Sequence, residues 1–280
     1  ESRISAVLTF FRYQLSSKLF NHKLIINWVN NTKFIVSKGE SGITGNLYCG
    51  LMEYVDMSFL IHYLDDTDVF YDIGANVGAY TILASGVKGA KSYPFEPVPD
   101  TYNKLIDQIK INHIDNLVIP RNNGLGNEIG TLRFTNNLNC QNKVIFDLED
   151  SDSTLVDVLT LDSIDYPNDH SLVKIDVEGY EKFIIEGGKD FFSSSNVNAL
   201  IIEINGSGKN YAIDDHDLHN SIVSYGFQPI AYDPFFRKIK IMDTFNESGN
   251  TIYVKDIGLT KKRVSTAPKI IIHTANGLII

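Results

Sequence analysis

Residues 71–80, Tyr-Asp-Ile-Gly-Ala-Asn-Val-Gly-Ala-Tyr, constrain the fold of this chain more than any other segment. They follow a mostly apolar run that predicts a buried strand, and they lead into residues 80–85, whose spacing predicts a helix that stops at Gly86. A strand that ends in a glycine-rich turn and opens a helix is typical of a doubly wound α/β sheet, where this turn faces a ligand. Gly74 and Gly78 lack a Cβ, so the backbone can turn sharply there.

The spacing of the acid and the glycines separates this turn from a dinucleotide site. A dinucleotide fingerprint is G-x-G-x-x-G, whereas here Asp72, Gly74, Asn76 and Gly78 stand at alternate positions. A carboxylate before the first glycine would repel a pyrophosphate, but it suits a ligand with an ammonium group. The pattern resembles the first motif of class I S-adenosylmethionine (SAM) methyltransferases, whose cofactor has a zwitterionic amino-acid end. The alternative is a tight turn in an ordinary α/β protein.

Composition narrows the class of protein and its partners. The chain has 280 residues, 43% of them hydrophobic and 21% charged, which is typical of a soluble globular protein. Its formal net charge of −9 argues against a nucleic-acid partner, which needs a basic face. We see no apolar run long enough to cross a bilayer, and we expect no membrane partner. Two cysteines cannot form a disulfide framework, so a reducing, cytoplasmic setting is expected; the oligomeric state is left open.

Acidic residues stand at the ends of the predicted strands. Residues 91–96 predict the second strand, whose last residue, Glu96, is placed to accept both hydroxyls of a ribose. Two further apolar strands end at Asp176 and Glu203. Ligands bind outside the carboxyl ends of strands in open α/β sheets, so these three acids and Asp72 should converge on one rim. Acids that share a rim raise one another's pKa, which is costly unless they bind something.

The region between the second strand and Asp176 predicts two further features. Residues 117–119 predict a third strand, and Asn123 beyond it is our candidate for hydrogen bonds to an adenine edge. A turn asparagine beside a glycine is the alternative. Residues 131–134 and 144–146 predict a hairpin inserted after the third strand.

The first 67 residues differ in kind from those that follow. They predict an appendage of helices and a strand, which includes an amphipathic helix over residues 7–19. We expect Glu53 and Tyr54 to lie across the cofactor mouth and contact the substrate; a solvated carboxylate and a core aromatic are the alternatives. The predicted division comprises an N-terminal segment that caps the core, a methyltransferase domain and a C-terminal extension: 1–67, 68–256 and 257–280.

Five segments, taken in order, resemble the FkbM-type SAM-dependent methyltransferases. They are residues 70–78, Phe95-Glu96-Pro97, Thr160-Leu161-Asp162, the Lys-Ile-Asp-Val-Glu-Gly run of residues 174–179, and Glu203. The resemblance extends over residues 46–255. It implies a Rossmann-like, doubly wound α/β fold with a mostly parallel sheet and an antiparallel last strand. The N-terminal appendage and the inserted hairpin would be additions to that fold.

The resemblance also implies an activity and a set of site residues. It implies O-methylation of a hydroxyl on a sugar, glycan-like or secondary-metabolite acceptor, with SAM as donor and S-adenosylhomocysteine as product. Asp72 and Asp176 would lie near the amino-acid end and the methyl group of SAM, and Glu178 and Glu203 would hold the acceptor hydroxyl or take its proton; Asp176, Glu178 and Glu203 are the expected catalytic residues. Independently of the resemblance, Lys174 falls inside a predicted buried strand, where we expect it to neutralise Asp176 or Glu203 and to contact the substrate. The expected cofactor-binding residues are Asp72, Gly74, Ala75, Asn76, Gly78, Thr81, Glu96, Pro97 and Asn123.

Other functions stay open on the sequence alone. Asp176 and Glu203 would supply oxygen ligands for a divalent cation, which we do not favour. A catalytically silent SAM-binding or scaffold protein is expected to have a broken turn or to lack the second-strand acid, and neither is seen. The glycine spacing and Asp72 disfavour an NAD-dependent oxidoreductase. Nitrogen methylation is not excluded, because the cofactor motifs do not report the acceptor.

Overall fold

The computed structural model describes residues 23–36, 41–135, 144–145, 153–272 and 278–280. The helix predicted over residues 7–19 lies outside these ranges. None of the helices in the described part of the chain is both long enough and apolar enough to span a membrane.

Strands alternate with helices along most of the chain. The strands are β1 (Leu24–Asn27), β2 (Lys33–Val36), β3 (Val69–Ile73), β4 (Lys91–Phe95), β5 (Gly124–Leu125), β6 (Gly130–Thr135), β7 (Val144–Ile145), β8 (Ser153–Leu159), β9 (Ser171–Ile175), β10 (Val197–Glu203), β11 (Gln228–Asp233), β12 (Lys238–Ile241), β13 (Asn250–Val254), β14 (Ile271–Ile272) and β15 (Leu278–Ile279). The α-helices are α1 (Ser41–Cys49), α2 (Tyr54–Tyr63), α3 (Ala79–Thr81), α4 (Pro99–Ile111), α5 (Glu181–Glu186), α6 (Lys189–Ser193), α7 (Asp215–Ser224) and α8 (Ile257–Thr266).

A seven-stranded sheet in the order β12-β11-β13-β10-β9-β3-β4 organises the fold. The neighbours β10, β9, β3 and β4 run parallel, whereas β13 pairs antiparallel with both β10 and β11. The predicted Rossmann-like sheet is therefore confirmed, and its antiparallel part includes β12 as well. Because β4, β3, β9 and β10 are neighbours, their carboxyl ends form one continuous rim in the order Glu96, Asp72, Asp176, Glu203.

Both faces of the parallel strands are covered. Every residue of β3 and β9 is buried, as expected for parallel strands with helices on each side. Phe70 and Leu172 pack into one core with residues of α2 and α8, while Tyr71 and Val173 pack into the opposite core with residues of α5, α6 and α7. Consecutive residues of a strand reach opposite cores because their side chains point alternately to the two faces of the sheet.

The N-terminal hairpin belongs to the first of these cores. Trp28 and Phe34 are buried there beside Ile272 of β14, and Val29 makes an isolated β-bridge to Ile272. The segments before and after the central sheet thus pack together on one face. The division at residues 67 and 256 stays a prediction.

The third strand predicted at residues 117–119 does not form as a regular strand. The Ser92 amide donates to the Leu117 carbonyl (3.0 Å) and the Arg121 amide donates to the Pro94 carbonyl (2.9 Å), as in a parallel ladder beside β4. The rung between them requires an N–H at Pro94, which proline lacks. Only isolated bridges therefore join this segment to β4.

The predicted hairpin is confirmed and belongs to a second, small sheet. β6 pairs antiparallel with β7 and with β8, and β5 pairs with β8. Phe134 and Val156 of this sheet pack against Val98 and Tyr180 of the main domain. The hairpin is thereby held next to the carboxyl ends of the main strands.

The helix predicted after the glycine turn has an irregular form. The α-helical part, α3, has only three residues and continues as a π-helix, Ile82–Val87. π-Helical turns are rare and occur frequently at functional sites. The predicted helix end at Gly86 falls within this segment.

Candidate active site

A cavity of about 280 Å³ opens at the rim formed by β10, β9, β3 and β4. Asp72, Glu96, Asp176 and Glu203 all line it, so the strand order brings together the acids that the sequence placed on one rim. The lining residues that were not predicted for the site are Asn46, Met52, Met57, Val77, Ala79, Tyr80, Val98, Thr101, Phe134 and Val177.

The glycines of the turn are required by two close approaches. Gly74 has φ +79°, and a Cβ on it would lie 1.9 Å from the carbonyl oxygen of Asp176. Gly78 has φ +87°, and its Cβ would lie 2.5 Å from the Leu105 side chain. Gly74 lines the cavity, but Gly78 does not; its role is to let the turn pack on α4.

The turn uses its own amide groups to fix its shape. The N–H groups of Gly74 and Ala75 donate to the Phe95 carbonyl at 3.1 and 3.0 Å, and that of Asn76 donates to Glu96 Oε2 at 2.9 Å. These donors are engaged with the end of β4. Dinucleotide sites use such N–H groups to bind a pyrophosphate, but here the three groups already donate hydrogen bonds within the protein.

Asp72 is buried under the turn and held by Thr81. Both the amide and the hydroxyl of Thr81 donate to Asp72 Oδ2, at 3.0 and 2.6 Å. Burial raises the pKa of Asp72, and the nearby Lys174 ammonium opposes that rise. Thr81 is fully buried and does not line the cavity, so the structure gives it a positioning role rather than the predicted cofactor contact.

Glu96 presents a fixed carboxylate at the other side of the turn. Its Oε2 accepts from the Asn76 amide and its Oε1 from the Val98 amide, each at 2.9 Å. Burial raises its pKa to about 7. Each carboxylate oxygen has two lone pairs, so both oxygens retain capacity for a further hydrogen bond from a ligand hydroxyl. Pro97, also predicted, lines the cavity beside it.

Lys174 and Asp176 form an ion pair at the end of β9. Lys174 Nζ lies 2.7 Å from Asp176 Oδ2 and 4.6 Å from the centroid of the Tyr80 ring. Burial lowers the pKa of Lys174, but Asp176, Glu53 and Asp72 outweigh burial and hold it above its ordinary value. Lys174 was predicted to neutralise an acid, and in the structure that acid is Asp176.

Glu203 has an unused oxygen at the edge of the cavity. Its Oε2 is buried and has no hydrogen-bond partner among the described residues. Burial raises the pKa of Glu203 to about 8, with further contributions from Asp176, Glu178 and Glu181. Glu178 lines the same cavity from a turn, where its φ is +57°.

Glu181 supports that turn, and no role was predicted for it. It is almost fully buried, and its Oε1 accepts from the amides of Val177 and Gly179 at 3.1 and 3.2 Å. Burial raises its pKa to about 7. The sequence signal for this supporting role is a carboxylate that stands two residues after a glycine, at the start of a helix.

The N-terminal segment contributes Glu53 but not Tyr54. Glu53 Oε2 accepts from the Tyr80 hydroxyl at 2.6 Å, and Asn250 donates to Glu53 Oε1 (3.4 Å) and to Asp56 Oδ2 (3.0 Å). Tyr54, the first residue of α2, is 37% exposed and does not line the cavity. Glu53 precedes the first residue of α2, whereas Tyr54 belongs to that helix, and of the two only Glu53 lines the cavity.

Asn123 also lies outside the main cavity. It lines a smaller space of about 20 Å³, which shares Gly74, Pro97 and Phe134 with the cavity wall. Asn123 lies in an irregular segment between Arg121, the last residue bridged to β4, and Gly124, the first residue of β5. Its contact with adenine stays a prediction.

Across the described ranges, no group of three or more His, Cys, Asp or Glu side chains is arranged to hold a metal ion.

Comparisons with known proteins bear on this site. A 148-residue alignment is 29% identical to the hexuronic acid methyltransferase AglP of Haloferax volcanii; it covers 52% of this chain and 59% of that protein, less than two thirds of its length. The structure of methyltransferase FkbM from Methylobacillus flagellatus KT is similar over 76% of this chain and 52% of that one, with 18% identity and a TM-score of 0.48.

A second solved structure gives a weaker likeness. It is an RNA methyltransferase from Salinibacter ruber in complex with S-adenosyl-L-homocysteine, with 15% identity, 71% and 87% coverage and a TM-score of 0.34. The family model of the methyltransferase FkbM domain matches residues 72–229, more than half of the 280 residues. This chain belongs to the FkbM methyltransferase family.

Proposed function

We propose that this protein transfers a methyl group from SAM to a hydroxyl of a sugar or glycan acceptor. Membership of the family supports methyl transfer, and the similarity to the hexuronic acid methyltransferase of Haloferax volcanii supports a sugar-like acceptor. The observation that carries the proposal is the order of acids along one cavity. Glu96 and Asp72 stand at one side, and Asp176 and Glu203 at the other.

The first pair suits SAM. Glu96 offers two fixed acceptor oxygens for the vicinal hydroxyls of the ribose. Asp72 and Asn76 line the wall beside it, in a turn whose N–H groups are engaged and whose acid favours an ammonium group over a phosphate. When bound, SAM supplies an electrophilic methyl group on a sulfonium. The acidic cavity suits that positive charge.

The second pair suits the acceptor. Glu203 Oε2 would receive the proton of the acceptor hydroxyl as the oxygen–methyl bond forms, and would later release it to solvent. Its raised pKa makes it a stronger base than an exposed glutamate. Lys174 fixes Asp176, so that Asp176 can hold the hydroxyl near Glu203.

The proposal is tested by methyl transfer from labelled SAM to a panel of hydroxyl-rich acceptors, with the wild type and Glu203→Gln. We expect transfer by the wild type, and a loss of about 100-fold or more in Glu203→Gln without loss of S-adenosylhomocysteine binding. Glu186→Gln, the same change outside the cavity, is the matched control. Undiminished transfer by Glu203→Gln would remove Glu203 from the reaction, and transfer to nitrogen alone would overturn O-methylation.

A further inference from the structure

The charge around the cavity is strongly one-sided. The described lining residues carry six carboxyl groups and one amine: Glu53, Asp72, Glu96, Asp176, Glu178, Glu203 and Lys174. Asp72 and Glu96 would face the cationic SAM, and Lys174 pairs with Asp176, so Glu53, Glu178 and, once ionised, Glu203 are the acids that an acceptor meets. Their negative potential is strengthened by the low dielectric of a partly enclosed site.

The amine is not available to an acidic acceptor. Lys174 is 3% exposed, its Nζ donates to Asp176 at 2.7 Å, and the Tyr80 ring covers it at 4.6 Å. Glu53 and Asp72 also act on its charge. A carboxylate of a ligand would have to displace Asp176 from a buried ion pair, and the displaced acid would then stand unpaired in the same acidic space.

The neighbouring surface does not reverse this charge. A second cavity of about 570 Å³ begins at Asn205, two residues beyond Glu203. It contains Lys209 and His216, but also Asp214, Asp215 and Glu247. An extended acceptor that passed from one cavity to the other would meet more acids than bases among the described residues.

An acidic acceptor would also affect Glu203, whose pKa is already raised to about 8. Burial is the main cause, and Asp176, Glu178 and Glu181 add to it. A ligand carboxylate placed beside Glu203 would raise the pKa further and keep the base protonated, which would prevent it from taking a proton.

We infer that the acceptor carries no carboxylate or phosphate beside the methylated hydroxyl, and that this protein methylates a neutral sugar. The inference rests on the proposed function and narrows its substrate class. It separates this chain from the hexuronic acid specificity in the name of its Haloferax relative. The acidic wall selects against uronic acids through repulsion, a common basis of specificity.

The test uses matched pairs of methyl glycosides that differ only at C6, as a hydroxymethyl group or a carboxylate, in the gluco, galacto and manno series. Methyl transfer from labelled SAM gives kcat/KM for each member. We expect the neutral member to be at least tenfold better in every pair that reacts. A uronic acid that reacts as well as its neutral partner, or better, overturns the inference and leaves the proposed O-methylation standing.

Two further results separate the inference from the proposed function. Transfer to no sugar by a protein that binds SAM overturns both the sugar acceptor and its charge preference. Failure to bind SAM overturns the proposed function itself.

A variant tests the cause of the preference. Glu178→Gln removes one carboxylate from the wall, and it should reduce the ratio of neutral to uronic kcat/KM several-fold. A general loss of activity does not change this ratio, because both sugars are measured on the same variant. Glu186→Gln should leave the ratio unchanged. An unchanged ratio in Glu178→Gln as well would show that charge does not set the preference.

Discussion

Gly74 and Asp176 are packed so closely that a Cβ on the glycine would lie 1.9 Å from the aspartate carbonyl oxygen. The contact joins the ends of β3 and β9, and the Asp176 amide donates in return to the Ile73 carbonyl at 3.0 Å. The glycine turn and the acidic turn are therefore one structural unit. We therefore expect a substitution in either turn to displace both sides of the cavity.

Gly74→Ala should destabilise the protein by about 3 kcal/mol or more, because the methyl group meets backbone and φ is +79°. Chemical denaturation monitored by circular dichroism measures the loss. Gly130→Ala is the matched control, since no atom lies within 4 Å of the added Cβ. Equal stability of the two variants would contradict the close contact.

Asp176→Asn should be more destabilising than Lys174→Met. The first leaves the Lys174 ammonium buried without its nearest partner and should cost about 3 kcal/mol. The second leaves Asp176, whose side chain is 28% exposed, partly solvated. Denaturation of both single variants and of the double variant gives the coupling. A double variant whose loss equals the sum of the two would show no interaction.

The rate of methyl transfer should rise with pH through about 8, since Glu203 acts as a base only when ionised and its pKa is raised to about 8. A pH–rate profile under saturating SAM measures this limb. Glu203→Gln should remove it, and Glu186→Gln should retain it. A wild-type profile that is flat between pH 6 and pH 9 would contradict the assignment.

Stability should fall as pH rises from about 4.5 to about 7, partly because of Glu181. Its pKa is raised by burial from 4.5 to about 7, so the folded state binds this proton more tightly than the unfolded state. The stabilisation is complete below the unfolded pKa and is lost as pH passes the folded pKa. Melting temperatures at pH 5 and pH 8 should therefore differ less in Glu181→Gln than in the wild type and in Glu186→Gln. An equal difference in all three would exclude this contribution.

Much of the fold follows from local sequence. The mostly apolar runs of β3, β9 and β10 and the turns that follow them predict parallel strands, and the strand ends predict the acidic rim. Pro94 shows where local pattern is insufficient. Residues 117–119 have the composition of a strand, but the missing N–H belongs to the neighbouring strand, so the break depends on pairing.

The site was harder to predict where its hydrogen bonds join residues from different helices and strands. Thr81 follows the glycine turn closely, but its two hydrogen bonds to Asp72 turn it inward. Tyr80 and Asn250 reach Glu53 from distant parts of the chain, and no local spacing indicates such pairs. Tyr54, the first residue of α2, is partly exposed and does not line the cavity, although the preceding residue, Glu53, does.

Binding of SAM against Glu96 and Asp72 underlies the proposed function. It is tested by isothermal calorimetry with SAM and S-adenosylhomocysteine on the wild type, Glu96→Ala and Asp72→Ala, with NAD as the control ligand. We expect wild-type binding of about −8 kcal/mol, weakened about tenfold or more by each substitution, and no binding of NAD. A folded wild type that does not bind SAM, or that binds NAD in its place, would contradict it.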